Sequence, residues 1–142
     1  MLHRVDGENH VVAAAQVGDG LLAVWQSDGS VLLLAEGLQG EYGAQVVPLA
    51  GKGAIERANG QVGVVRFEKP PRMLLAMSDG VADDFFPPEE HLPNLLKHLA
   101  PLYQRYDADA ELLRYEKRGS FDDRTLVVLW PGRETPSKEA DV

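Results

Sequence analysis

Apolar residues in this chain gather in short runs separated by glycine, proline and acid. Residues 11–25, "VVAAAQVGDGLLAVW", form two such runs split by Gly18-Asp19-Gly20. "QSDGS" follows, and its Asp28-Gly29 pair is a hairpin-turn signal. Residues 31–35, "VLLLA", then read as a buried strand, so 21–35 is predicted to be a β-hairpin. Residues 36–63 are rich in glycine and carry little period. They read as loop, with short strands near 45–49 and 54–57. Asn59-Gly60 marks a turn before the strand "QVGVVRFE". Pro70-Pro71 breaks the chain, and "MLLAM" at 73–77 is apolar at every position, as a central strand buried on both faces should be.

The period changes after that strand. In "PPEEHLPNLLKHLAPLYQRY", Leu92, Leu95, Leu96, Leu99, Leu102, Tyr103 and Tyr106 recur at three- and four-residue steps, one face of a helix. Pro87 and Pro88 suit its first turn, and Glu89 and Glu90 favour the positive end of its dipole. Pro101 should kink or end it. A second helix is predicted over 109–117, stopped by Gly119, and a last strand over 125–130. Residues 132–142 are polar and read as a tail. Strands first, then helices, then one strand give an α+β layout, with helices on one face of a mainly antiparallel sheet.

Composition narrows the function. At 142 residues and 44% apolar content the chain has the size and core of one domain. Twenty-two acids against 14 bases leave a net charge of −8, which argues against nucleic acid and anionic membrane as partners. Cysteine is absent, the N-terminal "MLHRVDGENH" lacks an apolar signal-peptide core, and no run is long enough to span a membrane. A cytoplasmic setting is the expectation.

Position shows where the surplus acid matters. Asp79 ends the strand at 73–77, and Asp83 and Asp84 follow it. Alone, Asp79 reads most simply as a strand-end turn residue, and Asp83 or Asp84 as a helix cap. A second acidic turn, Asp122-Asp123, opens the last strand and reads alone as a solvated turn or a partner for Arg124. The two strands, paired antiparallel, would bring both acidic ends to one sheet edge. Carboxylates gathered there repel unless a cation lies between them, and an all-oxygen set selects a hard ion, Mg²⁺ or Mn²⁺.

"MLLAMSDGVAD", followed after a helical stretch by "GSFDDRTLVVL", resembles the C-terminal half of the protein phosphatase 2C family, the metal-dependent Ser/Thr phosphatases. "AAAQVGDGLLAVW" resembles the family's Val-Gly-Asp-Ser hairpin, and "GEYGAQVVPL" a segment of a bacterial branch. Together these span about residues 11–129, in the family's order. The resemblance implies an α-β-β-α sandwich, incomplete here because its N-terminal strands and helices are missing. Residues 1–131 would form a partial phosphatase domain and 132–142 its polar tail. It also implies hydrolysis of phosphoprotein monoesters by a water bridged between two metals. Carried over by position, Asp79 and Asp122 would bind the first Mg²⁺ or Mn²⁺, and Asp79 and Asp83 a further, weaker one. Asp19 would hold the hairpin turn, beside Gly20 where the family usually has Ser.

Departures from the pattern bear on activity. Val5-Asp6-Gly7 is the only early Asp-Gly and lacks the Met-Gly-Gly that follows the family's bridging Asp. His3, His10, His91 and His98 read as surface residues, nothing singles out Arg4, and Asp123 replaces an Asn. No residue is assigned as catalytic. The expectation is a C-terminal portion of a phosphatase, weak or inactive alone, stabilised by self-association or by a partner chain covering the missing half. The alternatives are a non-catalytic phosphatase-like binding module, and an unrelated acidic α+β domain with ordinary turns.

Overall fold

The computed structural model describes residues 1–18, 20–35, 53, 55–56, 59, 61–104, 113 and 123–131. Among the described residues seven strands are seen: β1 (Leu2–Asp6), β2 (Asn9–Ala15), β3 (Leu21–Trp25), β4 (Val31–Ala35), β5 (Val62–Phe67), β6 (Met73–Met77) and β7 (Leu126–Leu129). Two α-helices, α1 (Asp79–Ala82) and α2 (Pro88–Leu99), follow β6. A 3₁₀ turn over Asp83–Phe85 separates them, and another over Ala100–Gln104 follows α2. The α+β class holds, but the strands form two antiparallel sheets rather than one, ordered β1-β2-β5 and β4-β3-β6-β7. The chain leaves the first sheet at Ala15 and enters the second at Leu21, so the Gly18–Gly20 break is a passage between sheets.

Side-chain alternation assigns the faces. Val12 and Ala14 of β2 meet Leu22 and Val24 of β3, Leu34 of β4 and Leu74 of β6 in one buried cluster between the sheets. The opposite face of the second sheet carries Ala23, Met73, Leu75 and Met77, which pack against Val81 of α1 and Leu92, Leu95, Leu96 and Leu99 of α2. β6 is therefore apolar throughout because both its faces are covered, and it lies between β3 and β7 as its sequence predicted. The leucine face of α2 is likewise the buried one. Pro101 exerts its expected effect, since regular α-helix ends at Leu99 and a 3₁₀ turn takes over.

The β3–β4 hairpin forms as predicted, with Trp25 paired to Val31 and Asp28 accepting from the Ser30 backbone N–H at 2.9 Å and from its hydroxyl at 2.7 Å. That hydroxyl and N–H hold the Asp28 carboxyl below its usual range. Two readings are corrected. β1 was not foreseen; it pairs with β2 across a turn at Gly7, whose φ is +62°. Ile55 and Glu56 are helical, not strand. A lone isoleucine between Ala54 and Glu56 has none of the alternation that a half-buried strand needs. The predicted strand at 45–49 and helix at 109–117 lie outside the described residues, Leu113 apart.

Candidate metal centre

Asp79 stands where β6 gives way to α1. Its Oδ1 accepts from the Gly80 backbone N–H at 2.7 Å, the strand-end turn that the sequence suggests. Among the described residues its other carboxylate oxygen has no hydrogen-bond partner. Ser78 precedes it and binds across to the next strand. Its backbone N–H donates to the Thr125 carbonyl at 3.0 Å. Its hydroxyl donates to the Asp123 carbonyl and accepts from the Thr125 N–H, both at 3.0 Å. Ser78 does not use that hydroxyl to cap α1. The side chain instead clasps the start of β7 to the end of β6.

Strand register has the same consequence. β6 and β7 are antiparallel with Met77 opposite Leu126, so the C-terminal end of one and the N-terminal start of the other share an edge. Asp123 is exposed at that edge. Asp122 and Asp19 lie outside the described residues. Asp83 is exposed in the 3₁₀ turn after α1, and neither it nor Asp84 caps α2, whose N-cap position is Pro87. Asp84 faces Arg124 instead, Oδ2 to Nε at 3.7 Å, with both side chains largely buried. That ion pair ties the segment before β7 to the turn after α1.

A cavity of about 370 Å³ opens beside Asp79, walled by Ala15, Gln16, Val17, Gly20, Leu22, Met77 and Ser78. Gly20 is needed there for space, since a Cβ would stand 2.5 Å from the Met77 carbonyl oxygen. A side chain at that position would therefore push against the end of β6, two residues before Asp79. Gln16 is 8% exposed, and its amide NH₂ donates to the carbonyls of Gly20 and, at 3.4 Å, Gly18. Its Oε1 is buried without a partner. Asp83 does not line this cavity.

The Asp79 carboxylate is a hard oxygen donor, of the kind that suits Mg²⁺ or Mn²⁺. Among the described residues no group of three His, Cys, Asp or Glu side chains converges on one point. Sequence reasoning passed over Gln16, Ser78 and the Asp84–Arg124 pair. One signal was present for Gln16: it continues the inward alternation Val12, Ala14, and a polar residue in that register is buried. His3 and His10, read as surface residues, are also part-buried. Their rings lie 4° from parallel, and Nε2 of His3 is 3.1 Å from Nδ1 of His10.

The arrangement is that of a two-sheet α+β domain with Asp79 at the end of one antiparallel strand pair. A family model described as protein phosphatase 2C matches residues 2–115, and the chain belongs to that family. Asp79 and Asp83 fall inside the matched region and Asp122 beyond it. Comparison with curated proteins and with solved structures finds no match. No helix among the described residues is long and apolar enough to cross a membrane.

Proposed function

We propose that the protein is a metal-dependent Ser/Thr protein phosphatase, hydrolysing phosphomonoesters on protein substrates with Mg²⁺ or Mn²⁺. The observation that carries this reading is the Ser78 clasp, by which the residue before Asp79 bonds the Asp123 carbonyl and the Thr125 N–H. Asp79 and Asp122 would hold one cation and Asp79 and Asp83 a weaker one. When bound, the metal supplies Lewis acidity and an activated water. The chain's own part is to fix the Asp79 carboxylate: Gly80 N–H holds one oxygen and leaves the other for a ligand. A cytoplasmic setting accords with the absence of cysteine.

We propose further that these residues supply one side of a binuclear centre, so that the chain is weak or inactive alone. The outer face of the first sheet supports this. Leu2, Val62 and Val64 are each more than half exposed there, alongside Val11, Ala13 and Ala15. Such a face suits self-association or a covering partner chain. Size-exclusion chromatography showing a stable monomer at micromolar concentration would count against it.

The functional test is hydrolysis of p-nitrophenyl phosphate with and without Mn²⁺, for this chain and for one joined to a segment bearing the family's Asp-Gly-rich motif. The joined chain should be the faster, and Asp79→Asn should remove most of its Mn²⁺-dependent rate. An active joined chain unaffected by Asp79→Asn sinks the proposal. A non-catalytic phosphatase-like module is the second reading, favoured by the absence of a three-ligand cluster among the described residues. It predicts Mn²⁺ binding without turnover in either chain.

A further inference from the structure

We propose, resting on the self-association reading above, that β1 is a self-pairing edge: two copies join their first sheets antiparallel, about a two-fold axis at Val5. Among the described residues β1 is bonded only to β2, at the end of its sheet, and four of its five residues are exposed. A two-residue turn, Gly7-Glu8, joins the two strands, and Asp6 stands opposite Asn9. Such a turn closes on a hydrogen-bonded pair, and antiparallel pairs then alternate. Arg4 opposite Val11 and Leu2 opposite Ala13 thus direct their backbone bonds toward β2. His3 and Val5 turn their N–H and C=O groups to the open edge. An unpaired row of this kind is a template for another strand.

Side chains choose the strand and the register. Arg4 and Asp6 lie on one face of β1, opposite in charge, and both are exposed. A second β1 centred on Arg4 or on Asp6 would set like charges directly opposite, which repels. Centred on Leu2 or His3, it would match no charges. Centred on Val5, Arg4 of each copy stands opposite Asp6 of the other, giving two matched pairs. These are non-hydrogen-bonded pairs, in which side chains come closest, while Val5 exchanges both backbone bonds with its counterpart. Within its own chain Asp6 faces Arg66 at 3.4 Å, and among the described residues Arg4 has no ion pair. The second copy supplies the acid that Arg4 lacks. On the other face Val5, 57% exposed, gains an apolar neighbour. Five-residue edges bury little beside the roughly 1,200 Å² at the low end of stable interfaces, so the dimer should form and part with concentration.

The test is sedimentation equilibrium of the full chain at rising concentration, which should show reversible dimerisation. Arg4→Asp and Asp6→Arg should each weaken the dimer by about tenfold or more, since each sets like charges opposite. An equimolar mixture of the two variants should restore it as a mixed pair, because each chain then carries the sign that the other needs. In the wild-type chain the Val5 amide should exchange more slowly as the dimer fills. A dimer indifferent to both substitutions, or folded variants whose mixture stays monomeric, overturns the inference and leaves self-association by the outer sheet face standing. So does a Val5 amide whose exchange is unchanged while the dimer forms, a result that decides the matter even if neither variant folds. A wild-type chain that stays monomeric throughout overturns both.

Discussion

The two sheets are built from similar residues but sit in different surroundings. The second is covered on both faces, by the first sheet and by the helices, and its strand β6 has four of five residues buried. The first is covered on one face, and β5 alternates between exposed and half-buried positions along its length. A strand's worth to the fold thus depends on how many faces it buries rather than on its apolar count. The candidate centre lies at the end of the doubly covered sheet, where Asp79 is held by backbone anchored in the core.

The largest expected effect tests that contrast directly. Leu75→Ala, at a fully buried position, should lose about 2–5 kcal/mol in urea denaturation, and Val64→Ala, 61% exposed, only about 0.5 kcal/mol or less. Comparable losses would mean that the outer face of the first sheet is covered in solution, and would sharpen the case for an added chain there. Next, Gly20→Ala should destabilise by about 1–3 kcal/mol, because its Cβ would meet the Met77 carbonyl. A neutral result would show that the passage between sheets yields easily.

Ser78→Ala should cost about 1–2 kcal/mol, read as a lower urea midpoint with unchanged slope. Faster amide exchange at Thr125 should accompany it, since that N–H loses its acceptor. The smallest effect concerns pH. Burial, and secondarily the His10 charge, hold His3 below the usual histidine range. The unfolded chain therefore takes up a proton there more readily than the folded one, and stability should fall as pH drops through the histidine range. His3→Gln should flatten that part of the stability profile, and an unchanged slope would assign it to the carboxylates instead.

Much of this architecture was legible where burial is complete. The unbroken "MLLAM" announced a central strand, and leucines at helical spacing announced the buried face of α2. β1 escaped notice because "LHRVD" is an edge strand with polar residues on both faces, so it lacks both a run and a clean alternation. Within the site, Asp79 was visible as acid at a strand end. Gln16 was not, since its buried, unpartnered oxygen appears only once its neighbours are placed. Likewise Asp84 was separable from Asp83 only after the turn had aimed it at Arg124.

Gly63 of β5 faces the Leu34 carbonyl of β4 so closely that any side chain there would collide with it. The sheets are pinched together along that border, backbone on backbone. Across the molecule, Val5, Val127 and Leu129 point into the space between the sheets, yet each remains about half exposed or more. The pair of sheets is thus a wedge, shut at β4–β5 and agape at β1–β7. Its hinge is a position where the sequence offers no side chain to act as a spacer. Even a methyl group at Gly63 would prise the shut side open.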